Sequence, residues 1–184
     1  MNTIEQKEYG IALDAVREKI TIPKGYELKK VKSVKQNKEE VFVFRFEKIT
    51  GNNNGLGGEH YSFTVSRKNH KLLGVTWMDQ IFSIKGELPT QKRTEEIAHL
   101  FLEKVEPGLF HCLENLWIRP HDESVITNGK QAIVTGMKYK CYLPDKDSYA
   151  WVIVGSNDQV ITFEQGIKWE NGRLTEKWLH DSWF

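Results

Sequence analysis

The residues of this 184-residue chain whose types could do chemistry are six histidines, two cysteines and a glycine-rich loop. The loop, Gly51-Asn52-Asn53-Asn54-Gly55-Leu56-Gly57-Gly58, has the composition of a phosphate cradle. A cradle needs backbone N–H groups converging at a helix start, commonly followed by a Lys and a hydroxyl. Here Glu59-His60-Tyr61 follows and a strand begins, so the loop reads as a hairpin connection. Its length still marks it as a place for binding, since long loops often carry function. Among His60, His70, His99, His111, His121 and His180, the densest metal-ligand grouping is His111-Cys112 with His121. Zinc loops use paired ligands at short, repeated spacing, and this grouping lacks a second pair, so no metal or cofactor is expected. Adjacent residues on a strand point to opposite faces, which keeps His111 from activating Cys112 as a nucleophile. Asp79, Glu95, Glu96, Asp122 and Glu123 read as solvated surface charge, without an apolar setting and a partner. No catalytic residue is assigned, and the chain is not expected to be an enzyme.

Composition narrows the classes further. Lys plus Arg (26) nearly cancels Asp plus Glu (25), and a net charge of +1 supplies no broad field for nucleic acid or an anionic membrane. Hydrophobic residues at 39% and charged residues at 28% fit a soluble globular protein. The apolar runs are strand-sized, so no membrane span is expected. Met1-Asn2-Thr3-Ile4-Glu5-Gln6-Lys7 has no basic cluster before an apolar core. The expectation is a cytoplasmic protein as written, or an extracytoplasmic one if a leader precedes this sequence. Cys112 and Cys141 do not require a disulfide; Cys141 lies in Met137-Lys138-Tyr139-Lys140-Cys141, where odd positions are apolar, and reads as buried.

The elements that must position these residues are suggested by an internal match. Tyr61 to Ser66, a polar turn and Leu72-Leu73-Gly74-Val75 correspond to Tyr149 to Val154, a polar turn and Val160-Ile161-Thr162-Phe163, at a constant displacement of 88 residues. A helix precedes each copy. The first opens on a Thr3/Gln6 capping box and carries Ile4, Ile11, Ala12, Ala15, Val16 and Ile20 before Pro23-Lys24-Gly25. The second, with Thr90 as cap, buries Ile97, Leu100, Phe101 and Val105 before Glu106-Pro107-Gly108. The period then falls to 2, with Phe42, Phe44 and Phe46 on one strand face and Ile133, Thr135, Met137, Tyr139 and Cys141 as the corresponding row. Tyr61, Phe63 and Val65 match Tyr149, Trp151 and Ile153. The connector from Met78 to Leu88 is too apolar for a free linker (Ile81, Phe82, Ile84).

Helix, Pro/Gly break, strand, then aromatic-x-aromatic-x-Val, polar turn and Leu-Leu-Gly-Val resembles tandem PepSY-like (peptidase propeptide-like) domains. The resemblance rests on Leu100 to Val105 with Pro107, and on Tyr61 to Val75 with its second copy. It implies an α+β fold of two tandem helix-plus-antiparallel-sheet units in a cystatin-like arrangement: residues 1–80, a packed connector 81–92, and residues 93–184 with an aromatic carboxyl-terminal tail. It also implies export or membrane association, and a role in binding or restraining peptidases and other partners.

The tail adds an Asn171-Gly172 hairpin signal and then crowds Trp178, Leu179, Trp183 and Phe184 together. Such a segment either caps the second sheet or offers an aromatic edge to a partner. The expected function is a non-catalytic binding or inhibitory module with a protein partner, using Asn52, Asn53, Asn54, Leu56, Trp178, Trp183 and Phe184. The alternatives are a small enzyme or small-ligand carrier with a pocket lined by Tyr61, Phe63, Tyr149 and Trp151, and a toxin-neutralising immunity-type protein.

Overall fold

The structure, a computed structural model, describes residues 2–83 and 86–181. Helix α1 (Thr3–Arg17) starts where Asn2 Oδ1 accepts the Glu5 N–H at 2.9 Å and the Glu5 carboxylate accepts the Asn2 N–H at 3.3 Å. The capping box therefore sits one residue before the Thr3/Gln6 pair. Its buried stripe is Ala12, Leu13 and Val16, while Ile4 and Ile11 face solvent. Helix α2 (Gln91–Val105) is capped as expected by Thr90, whose Oγ1 accepts the Arg93 N–H at 3.1 Å. It buries Ile97, Ala98, Leu102 and Val105; Leu100 is exposed, and Phe101 sits edge-on to Phe163. Gly108, at φ 89°, turns the chain into the single-turn helix α3 (Leu109–Cys112).

Strands β1 (Tyr26–Gln36), β2 (Glu39–Lys48), β3 (His60–Ser66), β4 (Leu72–Met78), β5 (Glu114–Thr127), β6 (Lys130–Leu143), β7 (Ser148–Val154) and β8 (Val160–Ile167) form one antiparallel sheet of eight. Its order is β1-β2-β3-β4-β8-β7-β6-β5. The molecule is therefore mainly β, which corrects the α+β expectation of two tandem, cystatin-like units. β4 and β8 pair through Gly74↔Glu164, Val75↔Phe163 and Thr76↔Thr162, so a single sheet runs through both halves. An unpaired strand edge leaves a row of N–H and C=O groups unsatisfied, and this join satisfies two such edges at once.

The row-for-row match fails as well. Tyr61, Phe63 and Val65 point into the core on the helix side, whereas Trp151 and Ile153 point to the opposite face and Val152 and Val154 take the helix side. Phe63 pairs with Val75, but Phe163 pairs with Val152 rather than Trp151. A slip of one residue flips every side chain of a strand.

The main core lies between the sheet and the two long helices, with Phe42, Phe44, Phe63, Phe163, Val16 and Leu102 fully buried. A smaller core on the other face gathers Met78, Phe82, Val125, Trp151, Ile161 and Ile167. Phe82 comes from a 3-10 turn (Gln80–Ser83) and meets Trp77 edge-on at 5.0 Å, so this part of the connector is packed; Ile84 lies outside the described residues. Two-residue turns at Asn37-Lys38 and Asn128-Gly129, all at positive φ, close the β1–β2 and β5–β6 hairpins. β5 is an outer strand and carries Pro120, which has no N–H to donate and is tolerated where one side of the strand is unpaired. Cys112 is exposed and Cys141 buried, and both are free thiols. Burial pushes the Cys141 thiol up to about 12.

Candidate functional site: a cavity on the sheet face away from the helices

The strands that pack their aromatic rows under the helices turn their alternate residues to the other face. There β3 places His60, β4 Thr76 and Met78, β8 Thr162 and Glu164, β7 Trp151, β6 Lys138, and β5 His121 and Glu123. They line a cavity of about 540 Å³. That is the size of a small-molecule site, for which roughly 300–1,000 Å³ is typical.

The chain after β8 closes the cavity as a strap. Asn171-Gly172 forms the expected tight turn, bridged by Trp169 and Arg173. The Thr175 hydroxyl donates to Asn37 Oδ1 at 2.7 Å, and Trp178 Nε1 donates to the Lys35 carbonyl at 2.8 Å. Leu179 lies on Gly74, where a Cβ would come within 2.9 Å of its Cδ1 and 3.1 Å of the Phe163 carbonyl oxygen. Asp181 accepts from the Arg45 guanidinium and from the Gly57 N–H. The tail thus spans both halves of the sheet instead of capping the second alone, and it touches the Asn/Gly loop at Gly57.

Charge inside the cavity is largely committed. Arg173 grips Glu164 bidentately at 2.8 and 3.2 Å, with both side chains nearly buried. His121 Nε2 lies 2.8 Å from Glu123 Oε1, and that contact holds the Glu123 carboxyl below its ordinary range. His60 Nδ1 sits 2.6 Å from the Ser62 hydroxyl. Burial first, then the Arg45 guanidinium, push its imidazole down to about 3, so it is neutral at physiological pH. Burial also lowers His180.

Lys138 differs. Its Nζ stands 4.2 Å from the centre of the Trp151 ring, and among the described residues no carboxylate lies within ion-pair distance of it. Burial first, then the neighbouring Lys140 ammonium, push it down to about 8, so it still carries its charge at pH 7.

The residues singled out from the sequence fall in different places. Asn52 and Leu56 stay on the surface. Asn53 donates to Glu59 Oε1 at 2.8 Å and accepts the Asn128 N–H at 2.7 Å, while Asn54 donates to the Lys48 carbonyl at 3.0 Å. Trp178 is half-buried on β1, and Trp183 and Phe184 lie outside the described residues. Of the four expected pocket residues, Trp151 lines the cavity; Tyr61 and Phe63 face the helices, and Tyr149 packs against the smaller core outside the cavity lining.

Two carboxylate readings change. Glu123 is a cavity residue bonded to His121. Asp79 is buried, accepting from the Tyr26 hydroxyl and lying 3.2 Å from Lys48 Nζ, which also meets the buried Glu59 at 2.9 Å. Burial pulls the Asp79 carboxyl upward, but the Tyr26 hydroxyl and the Ile81 N–H prevail and hold it below its ordinary range. Lys138 and His121 were missed as site residues; the Asn128-Gly129 turn signal would have extended β5 far enough to place His121 on a strand.

No family profile matches the chain, and no curated protein matches it by sequence. In fold the chain is similar to the Bacillus megaterium YpeB C-terminal domain, with a TM-score of 0.53 and 12% identity over 84% of this chain and 61% of that one, a likeness that supports the expected PepSY-like fold. At that identity the likeness concerns the fold alone, and the chain spans about three-fifths of that structure's length.

Proposed function

We propose that this protein is a non-catalytic binding module that takes a small anionic molecule with an apolar body into the cavity on the open sheet face. One observation carries the reading: the Lys138 ammonium faces a cavity of about 540 Å³ without a carboxylate partner among the described residues. A half-buried cation leaves electrostatic free energy unused until an anion meets it, and the low local dielectric strengthens that meeting. Trp151, Met78 and Leu179 supply apolar wall for the rest of the ligand.

Support for a non-catalytic role comes from the acid–base groups, which are engaged with one another. His60 is neutral against Ser62, His121 is held by Glu123, and Glu164 is held by Arg173. Binding should be read from the Trp151 indole N–H resonance while benzoate, phenyl phosphate or methanesulfonate is titrated. Saturable shifts in wild type that vanish in Lys138→Met are expected. Shifts that persist unchanged in the variant, or none up to millimolar ligand, contradict the proposal.

A further inference from the structure

A second cluster lies on the helix side of the sheet, apart from the cavity. His99 and Glu103 stand one turn apart on α2, and His111 reaches the same spot from α3. The Nε2 atoms of both histidines lie 4.0 Å from one oxygen, Glu103 Oε1. All three donor atoms fall within 4.8 Å of one another. That oxygen is shielded from solvent and accepts no hydrogen bond from the described residues. The sequence reading grouped His111 with Cys112 and His121; the fold instead brings it to His99 and Glu103.

An ionised oxygen stripped of water and given no donor is costly, and a bound cation removes that cost. Two imidazoles and one carboxylate are a donor set suited to Zn²⁺-class ions. We propose that His99 Nε2, Glu103 Oε1 and His111 Nε2 bind one divalent ion of the Zn²⁺ class, with solvent completing the shell. Zn–N and Zn–O bonds of about 2.0–2.2 Å put tetrahedral donors about 3.3 Å apart, so side-chain rotation of half-exposed groups must close the present gaps by roughly an ångström. His99 is preset for this: its ring stacks on Phe110 at 3.9 Å and 14°, which fixes the imidazole plane. The His111 ring stands edge-on to it at 5.5 Å. Loading the site ties α3 to α2 across the Glu106-Pro107-Gly108 break, making the ion a staple for that turn.

The test is calorimetric titration of tag-free protein with zinc chloride, with cobalt(II) absorption as the second readout. His99→Ala, Glu103→Gln and His111→Ala are compared, each checked by circular dichroism for an unchanged fold. The His111 side chain is 71% exposed, so His111→Ala keeps the fold if any variant does. Expected are one equivalent bound by wild type, intense cobalt d–d bands of low coordination number, at least tenfold weaker binding in each variant, and a zinc-dependent rise in melting temperature absent from His111→Ala. Failure of wild type to bind in tenfold zinc excess, or an affinity in His99→Ala and His111→Ala equal to that of wild type, overturns the site. Neither result bears on the cavity, which shares no residue with it.

Discussion

Two titrating side chains on the open sheet face shift stability in the same direction in two separate pH windows. His60 falls from 6.5 to about 3 on folding. Between those values the unfolded chain binds a proton that the folded protein refuses, so stability is lost as pH falls through that window. Urea unfolding at pH 7 and pH 4.5 should show a smaller acid loss in His60→Gln than in wild type. Lys138 falls from 10.5 to about 8, so here the folded protein releases its proton first and stability rises from pH 8 to 10.5. The buried Arg173–Glu164 pair sets a third expectation. Arg173→Met leaves Glu164 buried without its partner and should cost about 3–5 kcal/mol, read by chemical denaturation. The double change Arg173→Met with Glu164→Leu should recover much of that loss.

At the level of elements, the two long helices and the phenylalanine strand β2 were largely legible. Thr90 caps α2 and the phenylalanines of β2 share one face, because a side-chain cap and a two-residue period are local signals. The slip in β7 was not legible. That strand is apolar on both faces, from Ala150 through Val154, so its alternation carries no phase. Its register with β8 shifts between Tyr149 and Trp151 and again between Ile153 and Val154, irregularities that only the paired strand reveals. β5 was legible only in its first part, roughly Cys112 to Ile118, for another reason: from Arg119 to Ser124 this outer strand is polar apart from Pro120 and carries no apolar row. The strap depends on long-range contacts, above all Leu179 on Gly74. Gly74→Ala should destabilise the protein by about 1–3 kcal/mol, because the added methyl meets both Leu179 and backbone. Limited proteolysis should then cleave the strap after β8 faster than in wild type.

For the molecule as a whole, the β4–β8 join makes one sheet out of two runs of four strands. Phe163 and Val75 face each other there within a shared core that includes residues of both long helices. Calorimetric unfolding should therefore give one cooperative transition, and two resolved transitions would contradict the shared core. The same continuity builds the cavity, since its lining comes from β3 and β4 on one side and β5 to β8 on the other, under a strap that binds both. The sequence pointed to a binding role through the Asn/Gly loop and the aromatic tail. In the fold these two meet at Gly57 and Asp181, on the rim of the cavity. The most direct test of the account is the affinity of a bound aryl carboxylate measured at pH 7 and at pH 9.5, in wild type and in Lys138→Arg. The account predicts roughly tenfold or greater weakening at pH 9.5 in wild type, as the ammonium deprotonates, and little change in the arginine variant. An affinity that is independent of pH in wild type, or that falls equally in both proteins, would contradict it.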